Sequence, residues 1–367
     1  MNPANNVCDA LGRELAAIDP ASEVTEADLA RSRARSLAFA GTEGSLGTGS
    51  RALKKRDARV SSLALRRQPV PVRRRVVLAA AAAVLLVGGI VTADVILPGY
   101  SGASAEAAQA LHSAASASIK TSDPVVGPGQ YLKVATTAVS SGGVAQQGGT
   151  SAAWLDKTTG EVYVPADRSQ EWVWNRGARV PTQFFSASAE AAWKEIEKKV
   201  SGSPGFKAEI VRADGGAFYG GPQNVINGMS LDEIPTIPRD PKELLKLIYD
   251  RTVGAGPSAE IEAVVTIADT LRTGIVPADL RAALYEAAAL IPGVTLTEQQ
   301  ATLDGRTGVA IGIEGPFGGG RQDIIIDPDT GLMIGERKIA LKATDVFPAG
   351  TATEWTSIRT SVVDSAP

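Results

Sequence analysis

The chain has 367 residues, a net charge of −3, and 44% apolar but only 5% aromatic residues. Its one cysteine, Cys8, and one histidine, His112, exclude an intramolecular disulfide, a multi-cysteine metal cluster and a multi-histidine metal centre. The charge is unevenly spread. Residues 1–75 hold 14 Lys/Arg against 8 Asp/Glu, a balance of +6, which leaves 23 basic and 32 acidic residues, a balance of −9, for the rest. Segments of opposite sign face different surroundings.

In the N-terminal stretch, Thr25 has the signature of a helix N-cap, with Asp28 three positions on and Val24 and Leu29 placed as a hydrophobic staple. A short helix is predicted near 26–39, after another over 7–17 that Asp19-Pro20 ends. Residues 40–72 are Gly/Ser-rich and then basic, and they offer little to bury. The tail over 1–72 is therefore expected to be mostly disordered. Its Lys54, Lys55, Arg56 and Arg59 suit anionic lipid heads better than nucleic acid, because no aromatic residues are interleaved as stacking platforms.

Residues 73–97 read RRRVVLAAAAAVLLVGGIVTADVIL. Val76 to Ala93 gives 18 residues without a charge, inside the roughly 17–25 that a spanning helix needs. Arg66, Arg67, Arg73, Arg74 and Arg75 lie on its N-terminal side and assign that side to the cytoplasm. The predicted organisation is a basic cytoplasmic tail at 1–72, a transmembrane helix at 73–97 and an extracytoplasmic domain at 98–367. Two other readings stay open: an Ala-rich buried helix of a soluble protein, and a leader cleaved at Ala103-Ser104-Ala105, for which the preceding tail is long.

In the outer region a helix is predicted over 103–119. Strand-like runs follow at Gln130–Val139, Ser151–Leu155, Glu161–Val164 and Glu171–Asn175. A helical block comes next. Asp240-Pro241 opens KELLKLIYDRT, Ser258 caps AEIEAVVTIADTLRT up to Gly274, and Pro277 opens ADLRAALYEAAALI. Leu280, Leu284, Ala287 and Ile291 share one face of the last helix, as core residues would. Strands return from residue 294 to 364, so the fold class is α+β with an antiparallel sheet packed against several helices. Two segments look alike: Leu155-Asp156-Lys157-Thr158-Thr159-Gly160 and Ile326-Asp327-Pro328-Asp329-Thr330-Gly331. Both read as hairpin turns, with Asp156 or Asp327 and Asp329 bonding backbone amides, and Gly160 or Gly331 supplying positive φ.

Catalytic patterns are weak. Asp329-Thr330-Gly331 matches the aspartic-protease triplet, but the second such triplet that a proton-sharing pair needs is missing. His112 sits in an Ala/Ser-rich helix and reads as a solvated side chain. Gly315–Arg321 lacks the G-K-[ST] ending of a phosphate loop and precedes a strand, as a hairpin loop does. No catalytic, cofactor-binding or metal residue is assigned, and no cofactor is expected.

The segments IPRDPKELLKLI, VPADLRAALYEAAALIPGV, GRTGVAI and IIIDPDTGLMIGER, in that order, resemble an uncharacterised family of actinobacterial single-pass membrane proteins. The resemblance extends over roughly residues 70–363. Members are often found near extracytoplasmic-function sigma factors, which implies a regulatory setting. At the level of fold the region is similar to lipoprotein carriers, where a curved antiparallel sheet wraps helices around an apolar cavity. The H-x-x-x-C-x-x-C pattern of zinc-type anti-sigma factors is absent. The expected function is a non-catalytic, membrane-anchored binding or sensory module in the cell envelope. Its expected partners are membrane lipids, an envelope ligand or protein, and a cytoplasmic regulator reached through the tail. The alternative is a lipid- or lipoprotein-binding protein with a cavity between sheet and helices; an envelope hydrolase is a third reading.

Overall fold

The structure, a computed structural model, describes residues 102–121, 123–145 and 151–367. The predicted tail helix, the spanning segment and the topology-setting arginines 66, 67 and 73–75 lie outside these residues. Among the described residues, no helix is long and apolar enough to cross a membrane.

Helix α1 (Ala105–Lys120) is capped by Ser104, whose hydroxyl accepts from the Ala107 amide at 3.2 Å. Ala103 and Ser104 are themselves tied to the domain, donating to the carbonyls of Ala289 and Val294. Strands β1 (Tyr131–Ala145) and β2 (Ser151–Pro165) follow, then β3 (Glu171–Arg176) and β4 (Val180–Phe184). Next come α2 (Ala187–Val200), β5 (Glu209–Asp214) and a short pair, β6 (Asn224–Val225) and β7 (Met229–Ser230). Helices α3 (Pro241–Arg251), α4 (Ala259–Arg272) and α5 (Ala278–Ala289) form the middle block. The last run is β8 (Val294–Leu303), β9 (Arg306–Glu314), β10 (Gly320–Ile326), β11 (Met333–Ala340) and β12 (Ala352–Val363).

Ten strands make one sheet in the order β5-β3-β2-β1-β12-β11-β10-β9-β8, with β4 beside β2. Every pairing in it is antiparallel. The α+β reading with a large antiparallel sheet packed against helices therefore holds. The caps also act as read: Asp240 accepts from the amides of Lys242 and Glu243, and Ser258 from that of Ile261. Gly274, at φ +68°, follows the last turn of α4.

One expectation is overturned. Leu155–Val162 is not a hairpin turn, because Asp156 and Gly160 lie inside the continuous strand β2. That strand pairs with β1 without a break from Tyr131↔Pro165 to Ala145↔Ser151. Lys157, Thr158 and Thr159 can all donate to a ladder, and two of them are β-branched. A partner strand of full length then outweighs the local turn preference of Thr-Gly. In the second segment Pro328 cannot donate to a ladder, and the chain does turn there. Elements without a counterpart in the sequence reading include α2, whose Trp193 packs edge-on against Trp154 at 5.7 Å, β5 and the β6–β7 pair.

The main core lies between one face of the sheet and helices α1, α3, α4 and α5. Leu280, Leu284, Ala287 and Ile291 are each 0% exposed, so the predicted stripe is core. Along β10, Ile324 and Ile326 face this core, whereas Ile325 joins Ala301, Leu303, Ala310 and Ile334 in a smaller cluster. Asp323 is fully buried, and its carboxylate accepts from Nε of Arg321 at 2.7 Å, Nε of Arg337 at 2.9 Å and the Thr297 hydroxyl at 3.2 Å. A charge so deep is tolerated only with such partners. This cluster is structural.

Candidate functional site

A cavity of ≈ 490 Å³ opens where the C-terminal end of α4 and the start of α5 meet β1, β2, β11 and β12. Its floor is apolar: Leu132 from β1, Val164 from β2, Leu271 from α4, Met333 from β11 and Ile358 from β12. Four arginines, Arg168, Arg281, Arg306 and Arg359, also line it, against a single carboxylate, Asp123. Among the described residues, the lining contains no Ser, Cys, Lys or His.

Local chemistry explains how each charged group is placed. Pro277 stands at the N-cap of α5 and has no side chain to cap it. Asp123, from the loop between α1 and β1, takes over: one oxygen accepts from the Ala278 amide at 2.8 Å, the other from Arg281 Nη2 at 3.1 Å. Arg281 is 8% exposed, and its Nη1 donates to the Val276 carbonyl at 2.9 Å. Arg306 follows the tight turn between β8 and β9, where Asp304 (φ +48°) and Gly305 (φ +75°) both take the left-handed conformation such hairpins require. Its Nη2 reaches across neighbouring strands to the carbonyls of Ile334, at 2.9 Å, and Ile358. Arg168 donates to the Ile275 carbonyl at 3.3 Å.

Arg281 is paired with Asp123 at 3.1 Å, and the Asp304 and Asp327 carboxylates partly offset Arg306. Burial pulls the Arg306 guanidinium below its ordinary value, and neighbouring Arg359 pushes the same way. Burial also lowers Arg168, with Asp123 opposing. The Nε atoms of Arg281 and Arg306 are buried without a hydrogen-bond partner. An unsatisfied buried donor costs about 1–3 kcal/mol, more when charged.

The residues singled out from sequence fall elsewhere or beside this cavity. In the Asp327–Gly331 turn, the Asp327 amide donates to the Leu332 carbonyl at 2.9 Å, and the Gly331 amide to the Asp327 carbonyl at 2.8 Å. The Asp327 carboxylate accepts from the Asp329 amide at 3.0 Å. Gly331 has φ +66°, and a Cβ there would lie 2.3 Å from the Ala114 carbonyl oxygen. Its own carbonyl accepts from the Ser118 hydroxyl and the Tyr285 phenol, each at 3.0 Å. The turn is thus pinned between α1 and α5, and it sets Leu332 and Met333 into the cavity wall. Asp329 points to the surface, on a shallow groove that also carries His112. His112 is half-exposed and bonds Glu286 at 2.6 Å. Asp156 is buried in β2, where it accepts from the Trp154 indole at 3.2 Å and pairs with Arg179 at 3.4 Å. Desolvation raises its pKa, against the lowering by Arg179 and the indole. Gly160 lies opposite Thr136 and Arg176 in the sheet. Residues 315–319 form the loop between β9 and β10, closed by the Gly315 amide on the Gly320 carbonyl at 2.8 Å, and Arg321 lies in β10. Among the described residues, no group of three or more His, Cys, Asp or Glu is placed to hold a metal ion.

Sequence reasoning passed over the four arginines. One signal was present: Arg281 shares a face of α5 with Leu284, Tyr285 and Ala288, so a cation interrupts an apolar stripe at helical spacing. The other three reach the cavity from separate loops and strands, and no local pattern joins them.

No protein-family model matches the chain, and no curated protein is similar to it. Among solved structures, the chain has a likeness to a DUF1329 family protein from Desulfovibrio piger. The identity is 10%, the match covers 70% of this chain and 92% of that one, and the TM-score is 0.16. A likeness of that size carries no argument about fold or function.

Proposed function

We propose that this chain is a membrane-anchored, non-catalytic binding module of the cell envelope, with its ligand in the cavity beside α4 and α5. The tail, inside the cell, passes the binding state to a regulatory partner. The observation that carries the binding reading is the cavity itself. Its ≈ 490 Å³ falls within the roughly 300–1,000 Å³ of small-molecule sites, and it combines an apolar floor with a few convergent polar groups. Among the described residues, the one carboxylate of the lining is committed to Arg281 and to the start of α5, so it is not paired with a nucleophile facing the space. That supports binding over bond-breaking.

The apolar floor also favours the lipid-binding alternative over a purely polar ligand. The rest of the helix–sheet interface is filled by side chains, so a ligand occupies this end rather than a void running through the domain.

The test is to purify the intact protein from native membranes and identify small molecules released on denaturation. Thr360 is exposed and lines the cavity, so Thr360→Trp fills the space with little strain on the core. A stoichiometric compound present with the wild type and lost with Thr360→Trp is the expected result. Equal recovery from both proteins, or none from the wild type, refutes the reading.

A further inference from the structure

The arginines of the cavity have a feature that core packing does not explain. Arg281 is more than nine-tenths buried, yet its Nε has no partner, and the same holds for the buried Nε of Arg306. Two cations from unrelated elements, a helix and a strand start, are brought to one space, while the single acid there is already engaged. A guanidinium is the side chain best shaped for a carboxylate or phosphate. Arg359, exposed, adds a third cation, and its Nη2 makes a 3.3 Å bond to the Asp304 carbonyl.

The apolar part is equally specific. Leu132 and Val164 sit opposite one another on β1 and β2, and Ile358 on neighbouring β12 adds a further apolar group to the lining. Val125, 87% exposed, stands between Pro124 and Val126, which both line the cavity, and Ile119 is 59% exposed two residues before the lining residue Thr121. Single exposed apolar side chains are common. Two of them at the edge of one cavity extend its apolar surface outward.

Resting on the binding reading above, we infer that the ligand is an amphiphile with an anionic phosphate or carboxylate head and an apolar tail. The head is held by the guanidinium groups of Arg281, Arg306 and Arg359 that line the cavity. The tail lies along Leu132, Val164 and Ile358. A neutral lipid would leave the cationic lining without a counter-ion, and a small inorganic anion would leave the apolar floor wet.

The test uses the full chain in phosphatidylcholine nanodiscs, with hydrogen–deuterium exchange read over segments 123–132 and 271–281. The probes are octyl phosphate, octanoate, octanol and inorganic phosphate. Octyl phosphate or octanoate should protect both segments, and Arg306→Gln should raise its Kd about tenfold or more. Arg306 also bonds two strand carbonyls, so Arg359→Gln, on an exposed side chain, serves as the second variant and should raise Kd severalfold. Inorganic phosphate and octanol should protect weakly. Equal protection by octanol, unchanged in both variants, overturns the anionic head but leaves the cavity a binding site. Protection by inorganic phosphate as strong as by octyl phosphate overturns the tail. If none of the four protects, this inference and the binding reading both fail.

Discussion

At one end of the helix–sheet interface, Leu284 and Ala287 of α5, and Ile291 just after it, are wholly buried. At the other, beyond Arg281 on the same helix, ≈ 490 Å³ is left open. The two ends share a helix and largely the same apolar residue types. They differ in that the open end gathers four guanidinium groups, whose charge resists burial under aliphatic side chains. Space here follows from where charge is placed, since the hydrophobic surface is similar at both ends.

The contrast can be broken most severely at the boundary, which the Asp327–Gly331 turn marks. Gly331→Val meets two penalties at once. A β-branched residue at φ +66° costs about 1–3 kcal/mol, and its Cβ runs into the Ala114 carbonyl, an overpacking of about 1–3 kcal/mol more. Chemical denaturation should show the largest loss of stability of any change considered, and a loss under about 1 kcal/mol would mean that the turn is not pinned between α1 and α5. Next comes the filled end itself. Leu284→Ala should cost about 2–5 kcal/mol through the cavity it leaves. A much smaller cost would show that this end is loosely packed too, and the distinction between the ends would dissolve.

The smallest effect is a slope. Glu336 sits between α4 and the sheet, bonded to Arg272 at 2.9 Å and Gln322 at 2.8 Å. Burial raises its pKa above the ordinary 4.5 despite the lowering by Arg272. The folded state then holds this proton more tightly than the unfolded chain. Its contribution is full below the unfolded pKa and is lost as pH rises through the folded one. Stability of the wild type should therefore fall as pH climbs from about 4.5, and Glu336→Gln should flatten that fall. An unchanged pH profile in the variant would place the titration on another group.

The closed end was largely legible in the sequence. Helical spacing gave the α5 stripe, Ser258 and Gly274 bounded α4, and Pro328 with Gly331 marked a real turn. These signals are local, and the structure uses them locally. Gly160 misled because its fate depends on β1, whose Thr136 lies opposite it. The open end was illegible for the same reason. Arg168, Arg281, Arg306 and Arg359 are spread over nearly 200 positions and meet only once the sheet is assembled. Helix α2 carried an N-cap at Ser186 and Ala189, Trp193 and Ile196 at helical spacing, but strand-rich neighbours drew attention away from it.

The pairing of β1 with β12 has a consequence for how the domain is made. Tyr131 lies opposite Val363, so the middle of the sheet joins residues 232 positions apart. At about 5–20 residues per second, synthesis separates them by roughly 10–50 s. During that interval β1 has β2 on one flank and an open ladder on the other, a template for unwanted strand addition. A chain that crosses a membrane during synthesis would need a chaperone on the far side to shield that edge until residues 352–363 arrive.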